Sequence, residues 1–154
     1  MNDDVLRRAT SGFAILGLGV AGYLTYVHYA GLAPVCGISH GCETVQTSQY
    51  ASLLGVPVAL LGLLSYAIVF ITSLLRGERA MLVGFGLSLT AFAFSVYLTY
   101  RELFTIHAIC SWCVSSAIIF TLLAAVTSAR LAVQRPSSVV MPVAPPAAPT
   151  EASA

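Results

Sequence analysis

The sequence predicts an all-α membrane protein: a bundle of four transmembrane helices, with a polar loop and short helix on one face between the first and second. Three observations carry the prediction. Of 154 residues, 58% are hydrophobic and only 8% are charged, where soluble domains average roughly 25% charged; the mean hydropathy is +0.88. Apolar runs cover residues 12–32, 53–75, 80–100 and 103–129, the last steadily apolar from Ile109. Each supplies the roughly 20 residues that a helix rising about 1.5 Å per residue needs to cross a hydrocarbon core of about 30 Å. Finally, these runs lack the polar face that a water-soluble bundle keeps toward solvent. The net charge of +1 makes no electrostatic case for nucleic acid or for an acidic partner.

Arg7 and Arg8 precede the first run, as in a signal sequence. The run is longer than the usual signal core of about 7–15 residues, and no A-x-A cleavage site follows it. "LAPVC" resembles a lipoprotein site ending at Cys36, but Val35 stands where a small residue is required. Helix one is therefore expected in the mature protein. Its "GLGVAG" reads as close helix packing through small residues, not as a nucleotide loop. "RGERA" links the second and third runs. The membrane domain is expected over residues 1–135, and the Pro/Ala/Ser-rich stretch 136–154 as a disordered tail without chemistry.

Arginine placement predicts orientation. Arg7, Arg8, Arg76, Arg79, Arg130 and Arg135 fall on one side of such a bundle and only Arg101 on the other. The positive-inside rule then puts both termini in the cytoplasm. Residues 33–54 and 101–109 face the outer compartment, and all four cysteines lie there.

Oxidising compartments permit stable disulfides, so outward-facing cysteines first read as structural bridges. The spacing of Cys110 and Cys113 in "HAICSWC" argues otherwise. Residues three apart share a helix face and suit a disulfide's Cα separation of about 4.4–6.8 Å. So small a loop adds little stability, yet it suits redox exchange. The pair is expected in the N-terminal turn of helix four, where unsatisfied N–H groups and the helix dipole favour a thiolate. Cys36 and Cys42 lie in a loop with Gly37 and Gly41 just inside them. Glycine permits the turns that join the sulfurs, and a loop free to swing carries two electrons by thiol exchange. Zinc held by the two pairs is the competing reading; the C-x5-C spacing and the oxidising compartment argue against it.

The order of a loop cysteine pair, then "TSQY…GVP" leading into helix two, then C-x-x-C opening helix four, resembles the vitamin K epoxide reductase family, especially its bacterial members. The resemblance spans about residues 12–131 and includes Ser48, six residues after the second loop cysteine, with Gly55 and Pro57 before helix two. It implies a four-helix bundle around a quinone, capped by the segment between helices one and two. It implies that Cys110 and Cys113 form the active-site disulfide, with Cys113 facing the quinone and Cys110 exchanging with Cys36 and Cys42. Ser48 would help shape the quinone pocket; capping a short surface helix over "QTSQYASLLG" is its other reading. Trp112 either anchors at the interface, where Trp is common, or packs against the quinone.

The activity so implied is reoxidation of a separate DsbA-like thioredoxin-fold protein in the periplasm, from a bacterial inner membrane. Ubiquinone or menaquinone would be the electron acceptor. A DsbA-type partner has a potential near about −120 mV, so only a strongly oxidising sink recharges it. Animal members carry a tyrosine where this chain has Ala117, and an asparagine near Ala51, which disfavours epoxide reduction more than quinone reduction. Vitamin K quinone or epoxide reduction and a scaffold with structural disulfides are the alternatives. DsbB-like proteins place their cysteine pairs in the reverse order, and outward electron carriers place one cysteine in each of two spans.

The remaining polar residues have plainer readings. His107 as imidazolium would lower the Cys110 pKa, but an interfacial histidine is the simpler expectation. His40 is expected in solvent, His28 near the outer end of helix one, and Arg101 with Glu102 as a solvated pair.

Overall fold

The computed structural model describes residues 2–36, 41–53 and 55–134. Gly37, His40, Arg135 and the expected tail lie outside the described residues. The first helix, α1 (Asp3–Ala30), starts where the Asn2 carbonyl accepts from Val5 and Leu6. Asp3 and Asp4 occupy its positive first turn, the favourable end for acids. It stops at Gly31, whose φ of 65° lets the N–H groups of Gly31 and Leu32 cap the His28 and Val27 carbonyls.

A five-residue helix, α2 (Cys42–Gln46), and a 3-10 turn over Gln49–Ala51 follow. The start of the second apolar run is not helical. Ser52–Leu53 (β1) pairs antiparallel with Val56–Pro57 (β2), and α3 begins only at Val58 and ends at Leu74. Gly55 at φ 83° and the extended Pro57, at ψ 131°, turn the chain before the helix starts. Pro57 thus stands just outside the helix rather than in its first turn.

Helix α4 (Glu78–Arg101) runs into a π-turn over Glu102–Ile106, which ends at His107 in the left-handed conformation, φ 55°. After a short irregular stretch, α5 covers Ser111–Gln134. Among the described residues, three helical segments, Asp3–Ala30, Glu78–Ile106 and Ser111–Gln134, are long and apolar enough to cross a membrane. At 17 residues, α3 lies at the short end of the spanning range of about 17–25, because the hairpin takes its first turn.

The four long helices close a ring in which α1 packs on α3 and α5, and α4 on the same two. The core is Ala14, Ala21, Tyr66, Val69, Phe120 and Leu123. Tyr66 stacks on Phe120 at 4.1 Å and 6° and donates to the Ser116 carbonyl at 3.1 Å. Gly17 makes that stack possible, since a Cβ there would sit 2.2 Å from the Tyr66 ring. The packing expected of "GLGVAG" is thus concentrated at Gly17, with Gly19 facing open space.

Large apolar side chains such as Ile15, Leu64, Ile71, Val83 and Val96 point outward, an arrangement suited to lipid and costly in water. At the end away from the cysteines, Arg130 donates to Asp3 at 3.1 Å and ties α5 to the start of α1. The protein is an all-α membrane protein.

Candidate redox site

The loop pair is a disulfide, with the Cα atoms of Cys36 and Cys42 6.2 Å apart. Cys42 opens α2 and is fully buried; Cys36 is half-buried. Gly41 has ordinary helical angles, φ −85° and ψ −6°, so no backbone freedom is required there. What requires glycine is close approach: a Cβ would lie 2.7 Å from the Ile109 carbonyl oxygen and 2.8 Å from its nitrogen. The bare backbone of Gly41 thus rests on the segment that leads into Cys110.

At the other pair, the Cys110 carbonyl accepts the first α5 bond from Val114 at 3.0 Å. Cys110 is fully buried and Cys113 half-buried, and both are free thiols. The pKa of Cys110 is lowered to about 7, foremost by a hydrogen bond from the Cys113 thiol. Burial opposes this shift, and so does the charge of Glu102, while the Cys113 and Trp112 N–H groups of the first α5 turn reinforce it. The helix N-terminus therefore stabilises a thiolate on Cys110. Cys42, Val45 and Cys110 form one buried cluster, with Cys36, Trp112 and Cys113 packed against it. All four cysteines thus meet at one end of the bundle.

Glu102 departs from the sequence expectation. Rather than sitting solvated beside Arg101, it is 4% exposed. The π-turn and the reversal at His107 fold the chain back over it, so its own carbonyl accepts from His107 and Ala108. Its side-chain Oε2 accepts from the Cys110 N–H at 3.2 Å, and its carboxyl is also hydrogen-bonded to the Cys113 thiol. Arg101 is half-buried, lies 4.4 Å over the Tyr50 ring and donates to the Tyr50 hydroxyl.

Between the helices lies a cavity of about 240 Å³. Cys113, Glu102, Arg101, Tyr50 and Ser48 border it at the cysteine end, while Phe94 and Phe120 belong to its apolar wall. Of the four cysteines, Cys113 alone reaches it. Ser48 caps no helix with its side chain and instead donates to the Val45 carbonyl at 2.7 Å. Trp112 is not among the lining residues; its indole N–H donates to Val35 at 2.9 Å and its ring packs on Tyr23 at 4.7 Å. That contact holds the segment before Cys36 against α1 and α5. His107 and His28 are exposed.

The chain matches the vitamin K epoxide reductase family over residues 9–128. It belongs to that family. Membership makes it a membrane oxidoreductase of disulfide-linked redox chemistry, in a family that uses quinone or vitamin K as electron partner. Ala51, near the position where animal members carry asparagine, borders the cavity.

The cavity fits a quinone ring on its own chemistry. Its wall is mainly apolar, a free thiol opens on it, and the buried Nε of Arg101 has no partner among the described residues. Its volume is below the roughly 300–1,000 Å³ of sites that enclose a whole drug-sized ligand, so it fits a headgroup alone. Cys113, Ser48, Tyr50 and Arg101 are the residues that would hold it. Arg101, Tyr50 and Glu102 were not singled out as site residues in the sequence. An ionisable residue at the end of an apolar run is by default a functional signal, and "YRELF" carries two.

Proposed function

We propose that the protein is a membrane thiol–disulfide oxidoreductase that reoxidises a DsbA-like thioredoxin-fold partner and passes the electrons to membrane quinone, ubiquinone or menaquinone. The observation that carries this reading is the placement of the four clustered cysteines: Cys110 is buried beside the loop pair, and Cys113 borders the apolar cavity. The arginine distribution supports cytoplasmic termini and a periplasmic site at a bacterial inner membrane.

A partner thiolate attacks the Cys36–Cys42 disulfide, and the partner's second thiol resolves the mixed disulfide, leaving the partner oxidised and the loop pair reduced. A loop thiolate then attacks Cys110 of the Cys110–Cys113 disulfide, and the second loop thiol releases Cys110. The loop disulfide is restored and Cys110 and Cys113 are now the dithiol. The tuned Cys110 serves this exchange, because a good leaving thiol has a low pKa. When bound, quinone supplies a two-electron, two-proton sink. Ser48, Tyr50 and Arg101 would orient it beside Cys113, and the apolar wall would exclude water. Ala51 borders the cavity without a hydrogen-bonding side chain for an epoxide, which supports quinone as the acceptor.

The test is to mix purified protein with quinone and a reduced DsbA-like protein and to follow quinone absorbance. The native protein should consume quinone in step with partner thiols. Equal rates with Cys113→Ala would refute the assignment.

A further inference from the structure

Glu102 is a carboxylic acid enclosed at the end of a membrane-embedded helix, and the relay above does not use it. Burial of an acid is costly unless it is paired or has a task. Its carboxyl group reaches three things: the Cys110 N–H at 3.2 Å, the Cys113 thiol, and the cavity. The Cys113 sulfur lies within hydrogen-bond reach of both the Cys110 sulfur and this carboxyl, so its one S–H proton has two acceptors. Of these acceptors, Glu102 borders the cavity and Cys110 does not.

We propose that Glu102 is a catalytic base and acid of this site, taking the Cys113 proton as the Cys110–Cys113 disulfide forms and presenting it to the cavity. The inference rests on the reading that Cys113 delivers electrons there. Oxidation of the dithiol makes one S–S bond and releases two electrons and two protons. The Cys110 proton goes to water as that thiol ionises. The Cys113 proton goes to the Glu102 carboxylate, which becomes neutral. The two electrons leave for a quinone-class acceptor, and two protons follow them, one from Glu102 and one from water, so that charge and atoms balance. A proton carried by a side chain avoids opening the apolar cavity to solvent. General acid–base groups so placed contribute about 10²–10⁴-fold.

The other titratable groups around Glu102 are Cys110 and Cys113 at the start of α5, Arg101 and the exposed His107 on its own segment, and Tyr50 across the cavity. Glu102→Gln keeps an oxygen for the Cys110 N–H while removing the exchangeable charge, so it separates proton transfer from positioning.

Three readouts decide the matter. Infrared difference spectra between dithiol and disulfide protein, taken without quinone or partner, should show a protonated-carboxyl band that shifts on carbon-13 glutamate labelling and vanishes in Glu102→Gln. Glu102→Asp should recover part of the quinone-reduction rate that Glu102→Gln loses, because it keeps an exchangeable proton; a purely positioning role would be served as well by glutamine. Quinone reduction by Glu102→Gln should fall about 10²–10⁴-fold and lose its acid limb in the pH profile, while partner exchange with the loop pair stays native. If Glu102→Gln fails to fold, the labelled native spectrum and Glu102→Asp, which keeps the base and should retain the carboxyl band, still decide. A variant at native rate, with no glutamate band in the native protein, overturns the proposal. Native protein that reduces no quinone would instead refute the proposed function, and the spectral readouts would still judge Glu102.

Discussion

Gly41→Ala is the most localised perturbation of the contact between the two cysteine pairs. Alanine is comfortable at φ −85° and ψ −6°, so the substitution leaves backbone conformation alone and acts through contact. Its Cβ would stand 2.7 Å from the Ile109 oxygen, against ordinary contact from about 3.4 Å, so α2 must retreat by roughly 0.7 Å. The obstacle is backbone on a segment pinned through the Cys110 N–H to Glu102, which leaves α2 and Cys42 to move. Overpacking of this kind costs about 1–3 kcal/mol, and a misplacement near 1 Å costs a reaction on the order of 10²-fold. Transfer from the loop pair to Cys110 should therefore slow by about 10- to 100-fold, while partner attack on the Cys36–Cys42 disulfide stays near native. Rapid mixing with reduced partner, acid quench and mass-tagging of thiols measures both steps, and reduced Cys36 and Cys42 should accumulate in the variant. Relay at the native rate in a folded Gly41→Ala protein would refute the claim that this contact sets the distance between the pairs.

Other consequences are as specific. Gly17→Ala puts a methyl group 2.2 Å from the Tyr66 ring and should destabilise the bundle by at least about 1–3 kcal/mol, seen as a lowered Tm in detergent. The Cys110 thiol should ionise with a midpoint near 7, protonated below and thiolate above, in an ultraviolet thiolate titration of the reduced protein. Cys113→Ala removes the largest cause of that shift, so the midpoint should rise toward the ordinary value of about 8.5. A midpoint unchanged by Cys113→Ala would mean that the helix N-terminus alone tunes the thiol.

The apolar runs, the C-x-x-C at the head of the last helix and the placement of four cysteines at one end were legible, because they depend on composition and spacing. The hairpin at Ser52–Pro57 was hidden inside an apolar run, since hydropathy does not distinguish a buried helix turn from a short strand pair. Gly41 read as a hinge; close approach between chain segments 68 residues apart in sequence has no local signature. Glu102 read as solvated because it stands beside Arg101 at a helix end. Its burial comes from the π-turn and the left-handed His107, which reverse the chain over it and have no periodic pattern in sequence.

The central claim is that Cys110 meets the loop pair while Cys113 meets the cavity. Without Cys113, the Cys110 thiolate can attack the Cys36–Cys42 disulfide but no partner thiol of its own pair resolves the product. Non-reducing peptide mapping of purified Cys113→Ala should therefore find Cys110 joined to Cys36 or Cys42, and Cys110→Ala should give no matching link to Cys113. A link to Cys113 in Cys110→Ala, with none to Cys110 in Cys113→Ala, would reverse the two roles and contradict the account.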